Sequence, residues 1–560
     1  MAVTAPRFRP LGDAGLVVEF GGDEISDAAN AAVLALRHVL DARPPAGVRE
    51  TVPTYRSLLV VYDPASTSAP EVRSAVAERL GEADLVHLPE GRLIEIPTAY
   101  GGVHGPDLAG VAAEAGLSES QVVAIHTGAE YRVYMLGFSP GFPYMGTLPP
   151  PIRVPRLPSP RTRVPVRSVA IAGQQTGVYP TDSPGGWRLI GRTPLRIYDP
   201  SRPEPFLLDA GDRVRYAAIS AEEYERQAPV DESTPPAAIP SRPDFVVERG
   251  GLLTTVQDLG RPGYRRFGMP QSGAMDPLAL RVANLLLGNP PGAAALEFTF
   301  PGPRLIALRR TTVAIAGADL APLVNGQAAP MWSAIGLAAG DVLSFAAPRT
   351  GLWGYVAMPG GVDASPVLGS RATYVRGGIG GYGGRRLDGG DRLAASRRAP
   401  AAALRLAGPH TPRIGGDAEV RVVLGPQEEY FTPEAVAAFL AEQYRLSYEV
   451  DRVGYRLDGP RLSHRARVEL LSDGILPGAI QVPAGGQPIV IMSDGPTAGG
   501  YPKIAAVVRP DLRLLAQLPR GTPLRFRAVD WETSRRASQD EAAYLASLRF
   551  EPARTVSRPA

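Results

Sequence analysis

The chain of 560 residues has no cysteine, which excludes disulfides, thiol nucleophiles and thiolate-bound metals together. Lysine is almost absent: Lys503 is the one Lys among 59 basic residues, and every other is Arg. Lys is a compact charge that can give up its proton, whereas Arg is a planar fork that stays charged. Lys503 is therefore either a chance survivor of a coding bias or a position where chemistry demands the amine. Histidine is scarce too, six in all and scattered singly, with no H-E-x-x-H pair, so the spacing offers no zinc site. No run of about 18 apolar residues occurs, and Met1 to Pro10 has no signal-type apolar segment. The reading is a cytoplasmic protein without a membrane role. No basic run is interleaved with aromatics and the net charge is only +3, so nucleic acid is not expected as a partner.

Turn formers, by contrast, are abundant: 62 Gly and 58 Pro favour short strands over long helices. Residues 8–90 alternate strands with helices, including the apolar run S-L-L-V-V-Y at Ser57–Tyr62, and read as a ferredoxin-like α+β unit. A second unit spans 91–227, in which Ser118-x-x-Gln121 is a capping box. Residues 228–243 are a Pro-rich linker. A β-rich unit over 244–400 carries one well-marked helix, with Asp276 as its cap, Pro277 in its first turn and Gly288 beyond its end. A further boundary falls near 395–417, a last unit covers 415–530, and 531–560 is a tail with one polar helix. An internal repeat supports the division: Thr176-Gly177-Val178-Tyr179-Pro180 recurs as Ala498-Gly499-Gly500-Tyr501-Pro502, the first copy continuing to Thr181 and the second to Lys503.

Residues 131–193 are the densest signal. Loops there combine Phe138, Phe142, Tyr144, Tyr179 and Trp187 with Arg156, Arg161 and Arg163. Rigid turns bearing aromatics suit a ligand surface, with Arg pairing to carboxylate or phosphate, or else they only turn barrel corners and fill the core. His126, near a helix end, is a candidate catalytic group or a partner of the helix dipole. The Gly-rich stretch 377–384 lacks the Lys and helix of a phosphate loop and reads as a turn. There is no G-x-S-x-G elbow, and the single Lys sits in G-Y-P-K-I, which is no biotin attachment site.

These residues carry a resemblance. Residues 8–225 resemble the B component of prokaryotic ATP-dependent 5-oxoprolinase (allophanate hydrolase subunit 1-like) through G-F-S-P-G-F-P-Y-M-G (137–146), P-R-x-x-x-P-R (155–161), Q-T-G-V-Y-P (175–180) and S-P-G-G-W (183–187). Residues 244–530 resemble the C component through T-V-Q-D-L-G-R-P-G (255–263), S-G-A-M-D (272–276), A-N-L-L-L-G-N (283–289), L-G-S-R-A-T (368–373), I-Q-V-P (480–483) and G-G-Y-P-K-I (499–504). The chain thus looks like a B–C fusion. The resemblance implies a mainly β fold, with tandem cyclophilin-like β-barrel modules after the ferredoxin-like start. It also implies ATP-dependent opening of the lactam of 5-oxoproline to L-glutamate with a separate A subunit, using ATP and Mg²⁺. Homo-oligomer formation is left open. Catalytic candidates are Lys503, Asp494, Asp258 and His126. Candidate substrate or nucleotide contacts are Phe138, Phe142, Tyr144, Arg156, Arg161, Gln174, Tyr179, Trp187, Gln271, Ser272, Asp276, Arg371, Gln481 and Tyr501, with Asp258, Asp276 and Asp494 also weighed as metal or proton-handling groups. Two other readings share the motifs: a carboxyltransferase component acting on urea, and a non-enzymatic regulator of a histidine kinase. One position departs from the resemblance: Arg167 stands before Ser168 where the family usually has Gly, which puts in doubt the backbone's approach to a ligand there.

Overall fold

The computed structural model describes residues 5–83, 91–228, 240–397, 404–408, 412, 414, 418–466 and 470–553. Most of the expected linker 228–243 and of the stretch 395–417, and the last residues of the tail, lie outside them. The first unit is an antiparallel sheet in which Gly15–Glu19 and Ser57–Tyr62 are central and Arg7–Leu11 and Val48–Pro53 form the edges. Helices Asp27–Ala42 and Ala69–Glu82 cover one face. This is a βαββαβ-type sheet whose last edge is filled from the front of the chain by Arg7–Leu11, a strand not foreseen in the sequence. The run S-L-L-V-V-Y lacks polar alternation because both faces are covered. Leu58 and Val60 pack against the helices, while Leu59 and Val61 pack against Ile475, Leu476, Ile491 and Ala506 near the far end of the chain.

Two closed seven-stranded barrels follow, one over Leu93–Ile219 and one over Ala418–Ala528. Numbered in chain order within each barrel, the strands run around both in the same circuit, 1-7-2-3-5-4-6. In both, the first strand pairs in parallel with the last: Leu93–Tyr100 with Arg213–Ile219, and Ala418–Leu424 with Pro523–Ala528. Each barrel also carries a two-stranded ribbon ahead of its fourth and sixth strands, Arg161–Val164 with Ser183–Gly185 and Asp473–Gly474 with Ala498–Gly499. The repeat is therefore real, but the pentapeptide pairing needs correction. Thr176–Pro180 closes strand five of the first barrel, whereas Ala498–Pro502 leads into strand six of the second. The positional counterpart of Gly499-Gly500-Tyr501-Pro502-Lys503 is Gly185-Gly186-Trp187-Arg188-Leu189, and the register against strand four shifts just after Lys503 as it does just after Leu189, so Lys503 corresponds to Leu189 and not to Thr181.

Between the barrels, residues 245–406 form two facing sheets of six and seven strands around Val256, Phe298, Ile315 and Val356. The seven-stranded sheet is extended by Leu404–Leu406 and then by Phe550–Pro552 from the tail. Helix Pro277–Leu285 starts at Asp276, whose side chain accepts from Ala279 N at 3.0 Å. Its apolar face (Leu280, Ala283, Leu286) joins this sheet to the second barrel in one core. Burial of each of the two Leu side chains contributes about 1.5–3 kcal/mol, so the middle unit and the second barrel stabilise each other. The polar helix Trp531–Ser547 then crosses back over the molecule. No helix among the described residues is long and apolar enough to cross a membrane.

Candidate active site where three units meet

The tight turn Thr54–Ser57 joins the last two strands of the first sheet, and it is held from below. Asn30 Nδ2 donates to the carbonyls of Thr54 and Tyr134, each at 3.1 Å. The turn then reaches both barrels. On one side, Gln175 Nε2 donates to the Tyr55 hydroxyl, and the Tyr55 ring lies 5.5 Å from that of Tyr134 and 6.0 Å from that of Tyr144. On the other side, the Ser57 hydroxyl donates to Asp473 of the second barrel's ribbon. Gly474 permits this approach, since a Cβ there would meet Leu59 Cβ at 2.7 Å.

Asp473 is the partner of the lone lysine. Lys503 Nζ donates to Asp473 Oδ2 at 3.2 Å and its side chain is 0% exposed. Gln427 spans the pair, its Nε2 donating to Asp473 Oδ2 at 3.0 Å while its Oε1 accepts from Lys503 N at 3.0 Å. Burial pushes the Asp473 carboxyl up, but the Lys503 charge and the Ser57 and Gly474 donors more than offset it and hold the group below the usual carboxylate range. Gln481 pairs in register with Lys503, and Tyr501 stands partly exposed at the mouth of the same ribbon.

The first barrel contributes an aromatic bowl. Phe142 is in edge contact with Phe138, Tyr144, Tyr179 and Trp187 at centroid distances of 5.0–5.5 Å. Burial raises Tyr144 and Tyr179 to about 12, so both are neutral donors near pH 7. Arg156 is exposed, has no hydrogen-bonded acceptor among the described residues, and its charge bears on Tyr55, Tyr144 and Tyr179. Arg161 instead pairs with Asp107 at 2.6 Å. Gln174 points to solvent and contributes its carbonyl, which accepts from Leu148 N at 2.8 Å, and its neighbour Gln175 takes the inward place. His126 lies in the interior of the first barrel, where Nδ1 meets the Tyr100 hydroxyl at 2.7 Å and Nε2 meets Thr176 Oγ1 at 3.0 Å. Burial lowers its pKa to about 3, so it is a neutral hydrogen-bonding group near pH 7.

The remaining candidates gather around the loop 258–276. Asp258 accepts from Gly260 N at 2.7 Å, the Ser370 hydroxyl at 2.7 Å and Arg371 N at 2.6 Å. Gln271 takes a hydrogen bond from Arg265, which also pairs with Glu50 of the first unit. Ser272 N donates to Ser493 O at 3.0 Å, and Asp276 accepts from Gln517 at 2.9 Å. Asp494 meets Arg452 at 2.8 Å, and Arg452 also reaches Glu297 and the carbonyl of Gly273. Although burial works against its charge, Asp494 and Glu297 prevail and raise the Arg452 pKa above its ordinary value. Asp258, Asp276 and Asp494 are thus engaged in loop, cap and ion-pair contacts. They do not converge, and no group of three His, Asp or Glu suited to a metal occurs among the described residues. Buried Arg261 fits under the Gly-rich stretch, where a Cβ on Gly380 would meet its Nη2 at 2.9 Å. Asp473, Gln427, Ser57, Tyr55, Glu297 and Arg452 were not singled out in the sequence.

Comparison with known proteins matches the two halves of the chain to one family. A model for the carboxyltransferase domain, subdomains C and D, matches residues 6–208, and one for subdomains A and B matches residues 267–528. The second half is 38% identical to the C component of 5-oxoprolinase from Escherichia coli K12, over 54% of this chain and 96% of that protein. The chain belongs to the carboxyltransferase-domain family. Its first half is 44% identical to the B component of 5-oxoprolinase from Bacillus subtilis, over 39% of this chain and 95% of that one. The carboxyltransferase-family chain is accordingly a fusion of a B-type and a C-type half. The crystal structure of TTHA0988 superposes with a TM-score of 0.80 at 37% identity, covering 92% of this chain and 99% of that one. Within this carboxyltransferase-family protein the turn Thr54–Ser57 and the aromatic bowl come from the B-type half, and the Lys503–Asp473 pair comes from the C-type half.

Proposed function

We propose that the chain is the B–C component of an ATP-dependent 5-oxoprolinase and opens the lactam of 5-oxo-L-proline to L-glutamate together with a separate A subunit. The observation that carries the reading is the turn Thr54–Ser57, which ties residues of a B-type half to the Lys503–Asp473 pair of a C-type half, where each half matches nearly all of a 5-oxoprolinase component. A lactam is a poor electrophile, and ATP, when bound, would supply the phosphoryl group that makes its carbonyl reactive. In this chain the bowl of Phe138, Phe142, Tyr144, Tyr179 and Trp187 offers ring edges and faces to a planar body. Arg156, with no hydrogen-bonded acceptor among the described residues, offers a fork to a carboxylate or phosphate. Tyr144 and Tyr179, neutral at working pH, can donate to developing negative charge. Lys503, held in place by Asp473 and Gln427, supplies a fixed positive charge behind the turn. The acidic side chains do not fit a Mg²⁺ site, so no step is assigned to a protein-held metal.

A purified mixture of this chain with a 5-oxoprolinase A subunit should show 5-oxoproline-dependent ATP hydrolysis and glutamate release, with neither protein active alone. Arg156→Ala should raise KM at least tenfold and leave the melting temperature unchanged. The family description favours a second reading, transfer of a carboxyl group to a small amide such as urea. Labelled bicarbonate appearing in urea in the presence of carboxybiotin would establish that reading and overturn the first.

A further inference from the structure

A cavity of about 680 Å³ lies between the first sheet, the loop 259–281, the second barrel and the tail helix Trp531–Ser547. Its volume is in the range of small-molecule sites, about 300–1,000 Å³. None of Arg156, Tyr55, Asp473 or Lys503 lines it, and its outer wall belongs to a helix beyond residue 528, where the family match ends. The lining is electropositive: Arg49, Arg265, Arg281, Arg509 and Arg513 face three acids, Glu50, Asp63 and Glu541. Arg265 is consumed by Glu50 and Arg49 by Asp63. Arg509 and Arg513 stand 3.8 Å from Asp63 and Glu541, too far for a hydrogen bond, and Arg281 has no ion pair among the described residues. Two buried donors on the lining have no hydrogen-bond acceptor among the described residues, the Ser272 hydroxyl and Arg513 Nε. Ser272, 6% exposed, is held at φ 55°, a left-handed conformation that is strained for a residue with a Cβ and persists only where the surroundings impose it. Leaving a buried donor without an acceptor is costly, and an anion would supply one to each. Leu259, Leu476, Met492 and Leu512 line the rest.

The geometry points to a second ligand site, one that binds a small carboxylate- or phosphate-bearing molecule with an apolar or planar body, its oxygens received by Ser272, Arg281 and Arg513. The site is independent of the reading at Arg156. Isothermal titration of the full chain with inorganic phosphate, L-glutamate, 5-oxo-L-proline and ADP tests it. At least one probe should bind with Kd under about 1 mM. Ser272→Ala and Arg281→Met should each weaken that probe at least tenfold, and Ala542→Trp, which narrows the cavity from its exposed wall without removing a charge, should weaken it too. Arg156→Ala should leave it unchanged. Absence of binding by all four probes, or affinities unmoved by the cavity variants, would overturn the site. A loss produced by Arg156→Ala alone would assign the binding to the aromatic bowl instead.

Discussion

Replacing Lys503 by Met keeps the length of the side chain and removes its charge. Asp473 would then be left as a buried carboxylate with the Ser57, Gln427 and Gly474 donors but no cation. Breaking a buried ion pair from one side costs about 3–5 kcal/mol, most of it the penalty for the abandoned charge. The three remaining donors place the expected loss near the lower end, about 3 kcal/mol. Adding Asp473→Asn removes the stranded charge and keeps an acceptor for Ser57, so the double variant should recover most of that loss. Thermal denaturation and amide exchange along Ser57–Tyr62 would measure the cycle, and 5-oxoproline-dependent ATP hydrolysis with the A subunit would give the functional reading. If Lys503 supplies charge to the reaction, the double variant is stable but at least a hundredfold slower. If it only holds the halves together, stability and activity return together. A double variant no more stable than Lys503→Met would refute the argument that the pair is coupled.

Three further outcomes follow from the geometry. His126 is neutral in the fold, with its pKa lowered to about 3 against about 6.5 unfolded. The unfolded chain therefore binds the extra proton first, and stability should fall by about 1.4 kcal/mol per pH unit below pH 6.5, down to about pH 3; a His126→Gln variant with the same slope over that window would count against it. Arg167 sits at φ 69°, which explains the family's glycine, and its Nη1 donates to Pro194 O at 3.1 Å beside the Tyr224 ring. Arg167→Gly exchanges that anchor for relief of about 1 kcal/mol of strain, whereas Arg167→Ala loses the anchor and keeps the strain, so Ala should melt below Gly; the reverse order would discard the strain argument. Arg452→Met strands Asp494 and Glu297 together, and a loss of stability under about 2 kcal/mol would refute the buried triad as a brace.

Much of this architecture was legible in short-range patterns. The box Ser118-x-x-Gln121 caps its helix, and Asp276 accepts from the third residue of its own, because caps depend only on neighbouring residues. The bowl was legible because its aromatics cluster within one loop-rich stretch. Asp473 was not, because a buried Lys demands a carboxylate but nothing local says which of 56 acids supplies it. Glu297 left a fainter mark, as an acid flanked by Leu296 and Phe298 in a strand. The repeat was sensed correctly and aligned wrongly: Gly-x-Tyr-Pro is turn chemistry, and similar turns recur at non-equivalent places. The strand Phe550–Pro552 could not be anticipated, because its partner Leu404–Leu406 lies some 150 residues earlier.

The two-faced first sheet sets a timetable for synthesis. Its helices close one face as soon as residue 82 has left the ribosome, but Val17, Leu59 and Val61 must wait for Ile475, Ile491 and Ala506. At about 5–20 residues per second, that apolar face stays uncovered for roughly 20–90 s while the intervening chain is made. A nascent chain with such an exposed face is a substrate for holding chaperones, and in the fused protein the covering barrel arrives tethered to the sheet it must cover.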